Sequence, residues 1–135
     1  MRKKGIVLLL ILGVLLLVGC ENEVTRIPPE VCKTATEWGE GTSEAPYISF
    51  LLDGDESTLE TMDIFKKVGD SFEGYYVTVL STKGNTIKGT YHTDDENPKY
   101  DITLTLSYSP PELTVKITGK GPLAGQKFVV EPRPD

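Results

Sequence analysis

The chain has 135 residues, which is enough for one ordinary domain with its own core. It carries 14 basic and 20 acidic residues, a formal net charge of −6. Because phosphate backbones are bound by basic surfaces, this charge balance argues against a nucleic-acid partner. The single histidine and two cysteines also leave few routes to nucleophilic or histidine-based catalysis, so we expect no enzyme and no cofactor.

The first twenty residues have the pattern of an export signal. Three basic residues, Arg2 to Lys4, precede an apolar stretch from Gly5 to Val18 that ends at Gly19 and Cys20. This stretch is shorter than the ~20 residues that a helix needs to cross a bilayer. A basic start, an apolar middle and small residues at the end predict a signal peptide over residues 1–19.

The sequence "LVGC" at residues 17–20 resembles the lipobox of bacterial lipoproteins. The resemblance implies that Cys20 receives a diacylglyceryl group on its sulfur, that residues 1–19 are removed, and that the new amino terminus is acylated. Two or three acyl chains hold a protein stably on a membrane. We therefore expect a domain outside the cytoplasm, anchored to the cell membrane or the outer membrane. The alternative is an uncleaved N-terminal helix with an incidental cysteine.

The mature chain would be more acidic than the precursor. Since three of the 14 basic residues lie in the signal, 11 remain against 20 acidic residues, a net charge of −9. Cys32 is then the only free thiol. It is expected either to be buried or to pair with another chain.

Residues 20–46 have the composition of a tether, and residues 47–135 that of a small β domain. The first region is rich in Pro, Gly, Thr, Ser and Glu and lacks clear periodicity. It also contains Trp38, which suggests that residues around it dock on the domain. The next segment, "YISFLLD" at 47–53, is typical of a strand.

A helix is predicted over residues 58–68. Ser57 and Glu60 form a capping-box pattern ahead of Leu59, Met62, Phe65 and Val68, which follow one another at intervals of three. Gly69 supplies a C-terminal stop.

Alternating apolar and polar residues predict five further strands. They lie at 75–80, 86–92, 100–108, 113–118 and 127–131, with turn residues between them. The predicted fold is mainly β, an antiparallel up-and-down meander of about six strands with one short helix, closed as a small barrel or stacked as a sandwich.

The stretch "FEGYYVTVLSTKGNTIKGTY" at 72–91 resembles repeats of small lipocalin-like lipoprotein domains. That resemblance implies a β-barrel. Four tyrosines, Tyr75, Tyr91, Tyr100 and Tyr108, are predicted to share the apolar face of their strands, where they could line a pocket for a small amphipathic ligand or pack as ordinary core.

Two acidic groups in the sequence are candidates for metal sites. His92 and the acidic residues 94–96 could bind a divalent ion but are typical of a solvated hairpin loop. The segment that begins "DGDES" at 53–57 has Thr58 at the sixth position and Ile64 at the twelfth, where a calcium loop requires glycine and glutamate. We predict no metal site and no catalytic residues. The expected function is non-catalytic binding of an envelope protein, a glycan or a small molecule, and the alternative is a lipocalin-like carrier or sensor of a hydrophobic ligand.

Overall fold

The computed structural model describes residues 25–134. The predicted signal peptide and Cys20 lie outside these residues. Within the described range the chain forms one short helix and eight strands. They are α1 (Val31–Thr34), β1 (Glu37–Trp38), β2 (Tyr47–Leu52), β3 (Leu59–Val68), β4 (Ser71–Lys83), β5 (Thr86–His92), β6 (Tyr100–Ser109), β7 (Glu112–Gly119) and β8 (Lys127–Val130).

The eight strands form one sheet in the order of the sequence, and every neighbouring pair is antiparallel. The sheet curls until its ends meet. Trp38 in β1 bridges to Pro132, the amide of Gly39 donates to the carbonyl of Glu131 at 2.8 Å, and the amide of Arg133 donates to the carbonyl of Glu37 at 3.0 Å. The antiparallel meander is confirmed, but it has eight strands rather than about six and forms a nearly closed barrel rather than a sandwich.

The prediction of a helix over residues 58–68 is wrong, because residues 59–68 form strand β3. Leu51 pairs with Thr61 while Leu52 pairs with Leu59, so Glu60 is an extra residue in β3. Such a bulge shifts the alternation by one position, which places the buried Leu59 and Met62 three apart. The bulge therefore accounts for the spacing of Leu59 and Met62, whereas Phe65 lies on the outer face of the strand and Val68 is exposed.

The barrel interior is filled by side chains. Alternation along each strand sends one set of residues inward, and 22 hydrophobic side chains of the described chain are buried in one cluster. Trp38, Tyr75, Tyr91 and Phe50 are the largest of them. Burial of this apolar surface is the main stabilising contribution to the fold.

One end of the barrel, which we call the α1 end, is covered by residues 25–36. The carbonyl of Arg26 accepts from the amide of Leu59 at 2.8 Å, and the hydroxyl of Thr82 donates to the carbonyl of Ile27 at 2.6 Å. These bonds fix the segment to the start of β3 and to the end of β4. Val31 and Cys32 of α1 then join the core.

The opposite end, which we call the Leu123 end, is covered by the loop between β7 and β8. Leu123 is fully buried among the core residues. The ammonium of Lys66 on β3 donates to the side-chain oxygen of Gln126 at 2.9 Å, which ties the loop to the far wall. The described barrel therefore has a packed interior and a cover at each end.

Candidate binding surfaces

Three of the four predicted tyrosines meet at the Leu123 end. The ring centroids of Tyr75 and Tyr91 lie 6.3 Å apart, and those of Tyr91 and Tyr100 lie 5.3 Å apart. Tyr75 and Tyr91 are each 1% exposed, and Tyr100 is half-buried. The register explains this cluster, since Tyr91 on β5 lies directly opposite Tyr100 on β6.

The two buried hydroxyls of this cluster already have partners. The hydroxyl of Tyr91 donates to the carbonyl of Lys120 at 2.6 Å and accepts from the amide of Leu123 at 3.0 Å. The hydroxyl of Tyr75 donates to the carboxylate of Glu73. Burial raises the pKa of both phenols, and the bond to Glu73 adds to the effect at Tyr75. The cluster thus holds the covering loop in place.

Tyr108 lies apart from the other three tyrosines. Residue 108 is near the end of β6, at the α1 end of the barrel, whereas Tyr100 begins that strand. Its ring packs edge to face on Trp38, with the centroids 5.6 Å apart, and the side chain is exposed. The four residues share an apolar face as predicted, but they do not line one common pocket.

A row of aromatic rings crosses the outside of the barrel from β2 to β5. Centroid distances are 6.1 Å between Tyr47 and Phe65, 5.8 Å between Phe65 and Tyr76, and 5.4 Å between Tyr76 and His92. The guanidinium of Arg133 lies over the Tyr47 ring at 4.8 Å. We call Tyr47, Phe65, Tyr76, His92 and Arg133 the outer strip.

Carboxylates accompany the outer strip. The hydroxyl of Tyr47 donates to Glu37 at 2.6 Å, and that of Tyr76 donates to Asp94 at 3.0 Å. Each bond raises the pKa of its phenol, because the carboxylate favours the protonated donor. Partial burial beside the rings raises the pKa of Asp63. The strip combines aromatic faces with negative charge, a combination that attracts cations.

Two clefts lie where the barrel closes. One has a volume of about 620 Å³ and is bordered by Glu40, Glu112, Val129 and Glu131. The other has a volume of about 580 Å³ and lies between residues 43–45 and residues 126–129. Ala45 and Val129 border both clefts. We call this join between β8 and residues 37–46 the seam.

Cys32 is a buried, free thiol in α1. Its side chain is 2% exposed, although a cleft of about 360 Å³ lies beside the helix. Burial raises the pKa of the thiol to about 12, because the thiolate is poorly solvated there. Cys32 is therefore a buried core side chain in this structure, the first of the two alternatives expected from the sequence, which were burial and pairing with another chain.

The acidic loops show hydrogen bonding of their own. Asp94 accepts from Tyr76, and Nδ1 of His92 lies 2.6 Å from the carbonyl oxygen of Thr93. Asp53 accepts from the amide of Ser57 at 2.9 Å and from the hydroxyl of Thr58 at 2.7 Å, which makes residues 53–58 a tight turn into β3. Among residues 25–134 there is no group of three or more side chains placed to hold a metal ion.

Within residues 25–134, no helix has both the length and the apolar composition that crossing a membrane requires. Comparisons with protein families, with curated proteins and with solved structures found no match to this chain.

Sequence reasoning missed the outer strip and the seam. Tyr47 and Tyr76 alternate with buried neighbours, so their outward direction was readable from the strand pattern. Phe65 was assigned to the predicted helix, so its position on the outer face of a strand was not expected. The seam depends on the bridge between Trp38 and Pro132, which are 94 positions apart, and no local pattern signals such a pairing.

Proposed function

We propose that this protein is a membrane-anchored cell-envelope lipoprotein whose barrel binds a partner without catalysing a reaction. The anchor is the acylated sulfur of Cys20, supported by the lipobox pattern of residues 17–20 and the signal pattern before it. The binding role is supported by the shape of the barrel and by the outer surfaces.

The observation that carries the binding role is the filled interior with both ends covered. A ligand inside the barrel would have to displace Leu123 and break the two bonds of the Tyr91 hydroxyl. Breaking those bonds would leave buried polar groups without partners, at a cost of about 1–3 kcal/mol each. An outside surface needs no such rearrangement, and the outer strip and the seam are two such surfaces.

The carrier of a small hydrophobic ligand is the second candidate, favoured by the three tyrosines gathered under the Leu123 loop. In that case the loop would act as a lid. Titration with fatty acids, haem and aromatic compounds, followed by tyrosine fluorescence, separates the two. A saturable change that is lost in a Tyr91→Ala variant would favour the carrier, and no change across the panel favours outside binding.

The anchor is tested in cells of a lipoprotein-processing bacterium given labelled palmitate. The expected result is label in the parent protein and none in a Cys20→Ala variant, which should also leave the membrane fraction. A Cys32→Ala variant is the matched control and should keep the label, because that thiol is buried. Absence of label from the parent would refute the anchor.

A further inference from the structure

The seam leaves part of strand β8 without a neighbouring strand. The amide of Ile117 donates to the carbonyl of Gln126 at 2.9 Å, and Phe128 and Val130 follow at the same alternation, so their backbone groups face β7. In an antiparallel pair the intervening residues face away. The N–H and C=O groups of Lys127 and Val129 therefore point into the seam.

On the other side of the seam the chain turns away too early to pair with these groups. Strand β1 ends at Trp38, and in the described chain the backbone hydrogen bonds between residues 37–39 and the C-terminal segment involve Glu131 and Arg133 only. Gly39, with φ of 82°, then directs the chain into the loop before β2. Within residues 25–134, no strand lies beside Lys127 and Val129 on that side.

The space beside this edge is open. The cleft of about 580 Å³ separates residues 126–129 from residues 43–45, and the cleft of about 620 Å³ continues past Val129 towards Glu131. Adjacent strands in a sheet lie about 4.8 Å apart. An extended chain in these clefts can therefore reach the N–H and C=O groups of Lys127 and Val129. An exposed strand edge with a groove beside it suits strand addition by a peptide.

The charges around the seam indicate the kind of peptide. Four exposed glutamates border the two clefts: Glu40, Glu44, Glu112 and Glu131. The cations there are Lys127 and Arg133, and the guanidinium of Arg133 already stacks on Tyr47. A segment with basic side chains is therefore complementary to the seam.

We propose that the seam binds an extended, basic segment of another protein, which adds as a strand beside Lys127 and Val129. This inference rests on the proposed binding role of the barrel and names the surface and the chemistry of the partner. Backbone hydrogen bonds to residues 127 and 129 supply affinity, and lysine or arginine side chains over the glutamates supply preference.

The test uses a synthetic peptide of seven alternating valine and lysine residues and the 15N-labelled barrel. We expect saturable shifts of amide signals confined to residues 126–131 and 39–46, and slower hydrogen exchange at Lys127 and Val129. A peptide of alternating valine and glutamate should bind at least about tenfold more weakly, since it faces like charges. No saturation with the lysine peptide, or shifts centred on the outer strip, would overturn the proposal.

Val129→Pro is the decisive variant, because it removes an N–H that faces the seam and leaves the bonds to β7 in place. It should weaken binding about tenfold, whereas Val129→Ala should stay within a few-fold of the parent. If Val129→Pro does not keep the native spectrum, Glu44→Lys is the substitute variant, because it changes only an exposed side chain of the same cleft. It should weaken binding of the lysine peptide several-fold. Equal binding by the parent and these variants would refute strand addition.

Self-association is the remaining outcome. A dimer that forms as protein concentration rises and is abolished by Val129→Pro would mean that the edge pairs with a second copy, which contradicts the proposed partner. A failure in any of these experiments is distinguishable from failure of the proposed function, because acylation of Cys20 and exclusion of interior ligands are measured separately.

Discussion

At the scale of single residues, some side chains that could react or bind a ligand are instead packed in the core. Cys32 is a thiol that could pair or react, and burial in α1 makes it a small hydrophobic contact. Tyr91 could face a ligand, and its hydroxyl instead connects Lys120 with Leu123. Both roles depend on neighbours far away in the sequence.

We predict that the Cys32 thiol is unreactive in the folded protein. With its pKa raised from 9.0 to about 12, the thiolate at pH 8 is roughly a thousandfold scarcer than for a free thiol. A chromogenic disulfide reagent should therefore react slowly with the native protein and at once after unfolding in guanidinium. As a control, cysteine placed by Thr34→Cys in a Cys32→Ala background should react promptly, because position 34 is exposed.

The raised pKa of Cys32 also makes the stability of the protein depend on pH. The pKa of Cys32 is higher in the folded state than in the unfolded state, so its contribution is fully present below pH 9 and is lost as the pH rises towards 12. Denaturant midpoints measured between pH 8 and pH 12 should fall over this interval, less steeply in a Cys32→Ala variant. An equal fall in both proteins would contradict this assignment.

At the scale of the elements, the regular strands could be predicted from the sequence and the irregular ones could not. Strands β5 to β7 have clean alternation and turn residues at both ends, and their predicted bounds differ from the observed ones by at most one residue. Strand β3 was missed because the bulge at Glu60 breaks the period. Strand β1 has two residues, too few to produce any period.

A second irregularity explains the close approach of β4 and β5. The register shifts between Val79 and Ser81, so Leu80 is an extra residue in β4. Opposite this bulge, a Cβ atom added to Gly89 would lie 2.1 Å from the carbonyl oxygen of Thr78. The glycine is required by the approach of the backbone rather than by its own conformation.

We therefore predict that Gly89→Ala destabilises the barrel by about 1–3 kcal/mol, the usual cost of forcing extra volume into a packed site. Gly54→Ala is the matched control, because nothing lies within 4 Å of its added Cβ and its change should be near zero. Chemical denaturation of the two variants measures both values. Equal stability of Gly89→Ala and the parent would show that the two strands are not as close as described.

At the scale of the whole molecule, the proposed anchor would orient the barrel on the membrane. Thr25 is bound to Thr82 at the α1 end through two hydrogen bonds, and it lies only five positions after Cys20 in the sequence. An extended chain of that length reaches at most about 18 Å. An acylated Cys20 would therefore hold the α1 end towards the bilayer and the Leu123 end away from it.

This orientation can be measured with spin labels in two exposed turns, Asn85 at the α1 end and Asp70 at the Leu123 end. On vesicles carrying the acylated protein, a relaxing agent attached to lipid head groups should broaden the label at residue 85 more than that at residue 70. Equal broadening at both positions would contradict the orientation.

Partner binding on the outside of the barrel requires that the barrel stays closed, and amide hydrogen exchange of Leu123 measures this closure most directly. Its N–H is buried and donates to the Tyr91 hydroxyl, so it should exchange nearly as slowly as the amides of the central strands, and Tyr91→Phe should accelerate it. Exchange at Leu123 as fast as in an exposed loop would mean that the cover opens readily, and the interior would then be the binding site.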